Sequence, residues 1–198
     1  MLRITVALIL ASAMLSGCSS TKYESTWSNP SASPVTLSGQ KVAAFFFGGT
    51  ETTRRAAEDV LARELTARGA QGIPGHTLLP GPEPRDPQAA RQMLEQAGVE
   101  GAVTMRILGR ETETTYVPPT STFGGYWGGA WPAVYSPGYT RTDTQVSVET
   151  RVFSLPQDRL LWSGNSMTMN PTKVDAFVKE LAAKAADEMQ KSGVLKKP

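Results

Sequence analysis

A seven-residue run, Lys41 to Phe47 (KVAAFFF), constrains this chain more than any other segment. After its lysine it carries no polar residue, so it lacks the alternation of a strand with one wet face. Such a strand is buried on both sides and calls for sheet neighbours with helices over them. Gly48-Gly49 break the run, Thr50 is suited to cap a helix, and Glu51 favours its positive end. Ala57, Val60, Leu61 and Leu65 then recur at helical spacing, with Arg54, Arg55, Glu58, Asp59 and Arg63 on the opposite side. Gly69 stops that helix.

The same alternation of strand and helix continues. Gly72 to Leu79 reads as a short strand near an edge, because Pro74 cannot donate to a ladder. Asp86-Pro87 starts a second helix whose buried stripe is Ala90, Met93, Leu94 and Ala97, with Gly98 at its end. Val103, Met105 and Ile107 alternate on a third strand running towards Thr115. Val146, Val148, Thr150 and Val152 mark a strand with one wet face. Leu155 to Asp158 turns it, and Leu160 to Met169 returns, with Trp162 as a packing residue. A final helix carries Val174, Phe177, Val178, Leu181, Ala185 and Met189 on one side and ends at Gly193. The expected fold is α/β: a single mixed sheet in the order β-α-β-α-β-(long loop)-β-β-α, with helices packed on the sheet. Right-handed crossovers make the first three strands parallel, and the hairpin extends them antiparallel.

The N-terminus has a different character. Arg3 is the only charge before Lys22, and Ile4 to Leu15 is apolar. That stretch is shorter than the roughly 20 residues a membrane span needs. Residues 1–17 therefore read as a secretory signal. Removing it leaves 198 − 17 = 181 residues, enough for one domain and a tail. The segment ends Leu15-Ser16-Gly17-Cys18, which resembles the bacterial lipobox and contains the only cysteine of the chain. The resemblance implies cleavage before Cys18, a diacylglyceryl group on its sulfur and a further acyl chain on the new N-terminus. Each buried CH₂ contributes about 0.8 kcal/mol, and one chain alone anchors only marginally. Ser19, rather than Asp, follows Cys18. By the sorting rule of Gram-negative lipoproteins this implies the outer membrane, with the domain facing the periplasm. Residues 18–40 are rich in Ser, Thr and Pro and read as the acylated cysteine plus a flexible tether, and residues 41–195 as a single α/β domain.

Residues 117–140 are the unusual part of that domain. No charge occurs between Glu113 and Arg141, and the loop holds Phe123, Tyr126, Trp127, Trp131, Tyr135 and Tyr139 among glycines and prolines. So many aromatics need a cover: the domain itself, a second copy, another envelope protein, a glycan or lipid. These six residues are the candidate binding residues, for a protein partner or homo-oligomer first and for peptidoglycan or another envelope glycan as the alternative.

Residue types that carry chemistry are scarce. With one Cys and one His the chain excludes an intrachain disulfide framework and a zinc site of Cys and His. No metal, cofactor or catalytic residue is expected. His76 has no nucleophile elbow to serve, and a structural role is expected of it. No Gly-Lys-Ser/Thr phosphate loop occurs, and Gly48-Gly49-Thr50 reads as a plain strand-to-helix turn. Ser19-Ser20-Thr21-Lys22 matches S-x-x-K only formally. Glu111 and Glu113 share a strand face, and paired carboxylates can hydrolyse glycosides, but adjacent exposed glutamates at a strand end are common. The net charge of +2 falls to +1 once Arg3 leaves with the signal, so no nucleic-acid partner is expected.

The KVA strand after a Ser/Pro segment, Gly98-Val99-Glu100-Gly101-Ala102 before the third strand, and Arg151-Val152-Phe153 followed by Leu160-Leu161-Trp162-Ser163-Gly164 resemble a broad group of small Gram-negative outer-membrane lipoproteins of unknown function. Their architecture is similar to the domains of the curli-secretion channel subunit and of the lipoprotein that activates penicillin-binding proteins. The resemblance implies an envelope role and a non-catalytic domain.

Overall fold

The structure is a computed structural model that describes residues 21–31, 37–79, 86–118, 120–121, 135–136, 138–171 and 173–195. The strands are β1 (Thr21–Ser28), β2 (Lys41–Phe47), β3 (Gln71–Pro74), β4 (Gly101–Val117), β5 (Thr120–Ser121), β6 (Tyr135–Ser136), β7 (Tyr139–Ser154) and β8 (Arg159–Met169). The helices are α1 (Glu51–Ala67), α2 (Gly75–Leu78), α3 (Pro87–Gln96) and α4 (Val174–Lys191). Six strands form one mixed sheet in the order β1-β8-β7-β4-β2-β3, and β5 and β6 pair separately.

β2 runs parallel to β3 and β4, while β4, β7, β8 and β1 are successively antiparallel. One face of the sheet carries the main core. Val42, Ala44 and Phe46 of β2, Val103 and Met105 of β4 and Val148 and Val152 of β7 lie under α1 and α4. Thr50 caps α1 by accepting from the Thr53 N–H at 3.3 Å, and Leu61 and Leu65 point to the sheet. α4 turns Val178, Leu181, Ala185 and Met189 inward, and its alanines allow close approach to the sheet and to α1. Full burial of each such aliphatic side chain contributes about 1.5–3 kcal/mol.

The opposite face is thinly covered. Ala43, Ala102, Val99 and Leu94 form a small second cluster with Phe45, Leu79 and Leu155. Of the expected α3 stripe only Leu94 is buried, while Met93 is largely exposed.

Four expectations are corrected. The segment 18–40, read as a flexible tether, contains strand β1, which closes the edge of the sheet beside β8. Only Thr21 and Tyr23 face the core, so its composition stays polar. What fixes it is the ladder to β8 and the Tyr23 ring, tilted on Trp162 with centroids 5.7 Å apart. The element order therefore gains a first strand. The strand placed over Gly72 to Leu79 is Gln71–Pro74 followed by the single turn α2, because the missing proline N–H ends the ladder. The loop placed at 117–140 is shortened from both sides. β4 and β7 run on to Val117 and Tyr139, and β5 and β6 pair further out. Glu58, assigned to the wet side of α1, is 1% exposed.

Candidate functional site

β4 and β7 pair without a gap in their outer half, from Gly109↔Ser147 to Val117↔Tyr139. Their neighbours stop much earlier. β2 accompanies β4 only to Phe47↔Arg106, and β8 accompanies β7 only to Gln145↔Met169. From Thr112↔Thr144 outward the pair is a two-stranded ribbon standing clear of the sheet. A hairpin of that kind is marginal in water without further support.

The ribbon is built from alternating Thr and charged residues. Thr112 and Thr144 hydroxyls lie 3.5 Å apart on one side, and Thr114 and Thr142 hydroxyls 3.3 Å apart. Asn170, just past β8, braces the root. Its Oδ1 accepts from the Thr144 N–H at 2.7 Å, and its Nδ2 donates to Asp143 Oδ1 at 2.8 Å. The hydrogen bonds from Asn170 and Arg141 hold the Asp143 carboxyl below its ordinary range. Further down, a bulge between Ile107 and Gly109 turns Leu108 into solvent, 55% exposed. At the far end Tyr116 is 63% and Tyr139 54% exposed.

Of the sequence candidates, Tyr139 stands opposite Val117 at this far end. Tyr135 lies in β6, paired with Ser121. Cys18, Phe123, Tyr126, Trp127 and Trp131 lie outside the described residues. Glu111 and Glu113 are exposed on one side of the ribbon, opposite Gln145 and Asp143. Leu108 and Tyr116 were not singled out from the sequence. Leu108 falls out of step with the Val103, Met105, Ile107 alternation, at a bulge that leaves no mark in composition.

A buried carboxylate sits at the start of α2. Glu58 Oε1 accepts from Arg54 Nη1 at 2.9 Å and from the Phe46 N–H at 3.4 Å. Its Oε2 accepts from the His76 N–H at 2.7 Å and lies 3.1 Å from His76 Nδ1. His76 Nε2 lies 3.6 Å from Asp59 Oδ1. The contacts of Glu58 tie α1 to β2 and α2, and they account for both carboxylate oxygens. His76 is thus a fastening between α1 and α2. The sequence signal for it was the Arg54/Glu58 spacing of one helical turn, which reads equally as a solvated pair.

Under α3 the thin packing leaves a groove of about 670 Å³, lined by Ala90, Leu94, Ala102, Phe153, Leu155 and Leu160 among others. The Arg91–Asp158 ion pair, 3.0 Å long, crosses its rim. Among the described residues no buried side-chain polar atom lacks a partner, and no cluster of three metal-ligating side chains occurs. No helix among them is long and apolar enough to cross a membrane.

No family model matches the chain, and no curated protein sequence matches it. The architecture does match solved structures. PelC of Paraburkholderia phytofirmans, described as a dodecamer, aligns at 11% identity and a TM-score of 0.50 over 86% of this chain and 97% of that one. A leucine-to-methionine variant of the same protein, also described as a dodecamer, aligns at 14% identity and 0.48 over 86% and 98%. A PDZ domain protein of Parabacteroides distasonis aligns at 13% identity and 0.37 over 87% of this chain and 35% of its own. At such identities the PelC likeness is one of fold: a small α/β domain with a mixed sheet.

Proposed function

We propose that the protein is a lipid-anchored lipoprotein of the outer membrane, facing the periplasm, whose role is non-catalytic contact with copies of itself. The observation that carries this reading is Leu108, which the bulge in β4 leaves exposed just below the root of the β4–β7 ribbon. A two-stranded ribbon gains stability when a second surface covers it, and apolar groups on it supply the driving force. In the sequence, the uncharged stretch between Glu113 and Arg141 also holds Phe123, Tyr126, Trp127 and Trp131. Assembly of a similar fold is known from PelC, which is described as a dodecamer. The lipid anchor rests on Leu15-Ser16-Gly17-Cys18, and the outer-membrane assignment on Ser19.

Two measurements on the full chain test the reading. Radiolabelled palmitate should enter the wild type and be absent from Cys18→Ser. Light scattering of the acylated protein in detergent should give a particle of several copies, reduced to one copy by Leu108→Lys. A wild type that scatters as a single copy contradicts self-assembly.

A further inference from the structure

Strand β1 begins close to where the ribbon leaves the sheet. Its register sets Thr21 beside Thr168, Thr168 beside Val146, and Val146 beside Arg110. β1 runs opposite to β4, so it enters the sheet from the end towards which the ribbon extends. Thr21 is held in place there. Its N–H donates to Glu180 Oε1 at 2.6 Å, and its hydroxyl shares a hydrogen bond with Thr168 at 2.8 Å.

Cys18 precedes Thr21 by three residues. Three peptide steps reach at most about 11 Å. From Arg110 β4 continues seven residues to Val117, and at 3.3 Å per residue that is about 23 Å. The end of the ribbon is therefore about twice as far from the level of Thr21 as the lead to the acylated cysteine can reach. A bilayer holding Cys18 at this end of the sheet lies within the ribbon's reach, and a ribbon inclined to its surface ends in the headgroup layer.

Resting on the reading of Cys18 as the lipid anchor, we infer that the end of the ribbon, Tyr116, Val117 and Tyr139, touches the lipid surface in which that anchor is held. Tyrosine is suited to this depth, with a ring for the acyl boundary and a hydroxyl for the headgroups. No charge beyond Glu113 or Arg141 has to be desolvated. The outer edges of a two-stranded ribbon keep unpaired backbone groups, which limits contact to the headgroup layer and forbids the hydrocarbon core.

The test uses the full acylated protein in vesicles of phosphatidylethanolamine and phosphatidylglycerol. Acylation consumes the Cys18 sulfur, so a nitroxide attaches only to the cysteine of Tyr116→Cys or Tyr139→Cys, or of Gln157→Cys in the turn at the opposite end of the sheet. The expected result is that labels at 116 and 139 lose most of their collisions with a water-soluble nickel chelate yet keep those with oxygen, while the label at 157 keeps both. Labels at 116 and 139 as open to nickel as the one at 157, on protein that floats with the vesicles, would overturn the lipid contact and leave the anchor standing. Labels shielded from both reagents would overturn it in favour of a protein surface. Wild type that fails to float with vesicles would overturn the anchor and this inference together.

Discussion

The hydroxyls of Thr21 and Thr168 lie 2.8 Å apart, joining the first strand of the sheet to the last one before the C-terminal helix. The residues are 147 positions apart, yet both are buried. The bond fixes where the chain leaves the domain on its way to Cys18. Replacing Thr21 by Val keeps the shape and leaves the Thr168 hydroxyl without its partner. Urea denaturation should show a loss of about 1 kcal/mol, and Thr21→Val with Thr168→Val should recover part of it.

Tyr23 packs on Trp162 and its hydroxyl lies 3.0 Å from that of Thr150. Burial pushes its phenol up to about 12. Between the ordinary value near 10 and 12 the unfolded state has lost this proton and the folded state has kept it, so stability falls as pH rises through that window. Below pH 10 the contribution is complete. Two units correspond to roughly 3 kcal/mol at most. Stability measured by urea titration from pH 9 to 12 should decline less steeply in Tyr23→Phe than in the wild type. Equal slopes would mean the phenol is not buried in solution.

Glu58 is the buried hub of α1, β2 and α2. Glu58→Ala leaves the N–H groups of Phe46 and His76 without this acceptor and takes from Arg54 one of its two carboxylate partners, Glu51 being the other. The expected loss is about 3 kcal/mol, towards the lower end for buried pairs because Arg54 is partly exposed. His76→Ala removes only the ring contact and should cost about 1 kcal/mol. Thermal unfolding of the two variants should preserve that order, and a His76→Ala loss as large as that of Glu58→Ala would contradict it.

Gly72 sits where β3 passes under α1. A Cβ there would fall 2.1 Å from the Ala62 carbonyl oxygen, which belongs to helix backbone. Gly72→Ala should therefore destabilise by about 2 kcal/mol or more. A Cβ on Gly109, just past the bulge in β4, meets nothing within 4 Å. Gly109→Ala should leave the melting temperature close to that of the wild type.

These variants show which features could be read from sequence. β2 was legible because KVAAFFF admits one environment, and α1 and α4 because their apolar residues recur every three or four positions. The β7–β8 hairpin followed from alternation on both sides of a turn. β1 was not legible. Its eight residues turn only Thr21 and Tyr23 to the core, and its ladder partner lies more than a hundred residues away. Glu58 was misassigned for the same reason: its acceptor role is set by backbone N–H groups of β2 and α2, which composition does not encode. Of the candidate surface, Tyr139 was found through the aromatic cluster. Of the ribbon under it, the β4 side was read as strand towards Thr115, while the β7 side was missed, since a Thr-rich stretch such as Thr140–Thr144 resembles loop in composition.

Leu108, at the root of the ribbon, and Tyr116 and Tyr139, at its end, are exposed and contribute little to the domain itself. Serine at each position should shift stability by about 0.5 kcal/mol or less, and Leu108→Ser alone should remove association in detergent. A large stability loss with association intact would mean that the ribbon folds back on its own domain.

The most direct measurement of the central claim is photo-crosslinking in living cells from position 108, with mass spectrometry of the adducts. Self-association through the face around Leu108 predicts a discrete adduct of two copies of this chain, still formed when Tyr116 and Tyr139 are both replaced by serine. No adduct, or one formed only with a different protein or with peptidoglycan, would contradict it.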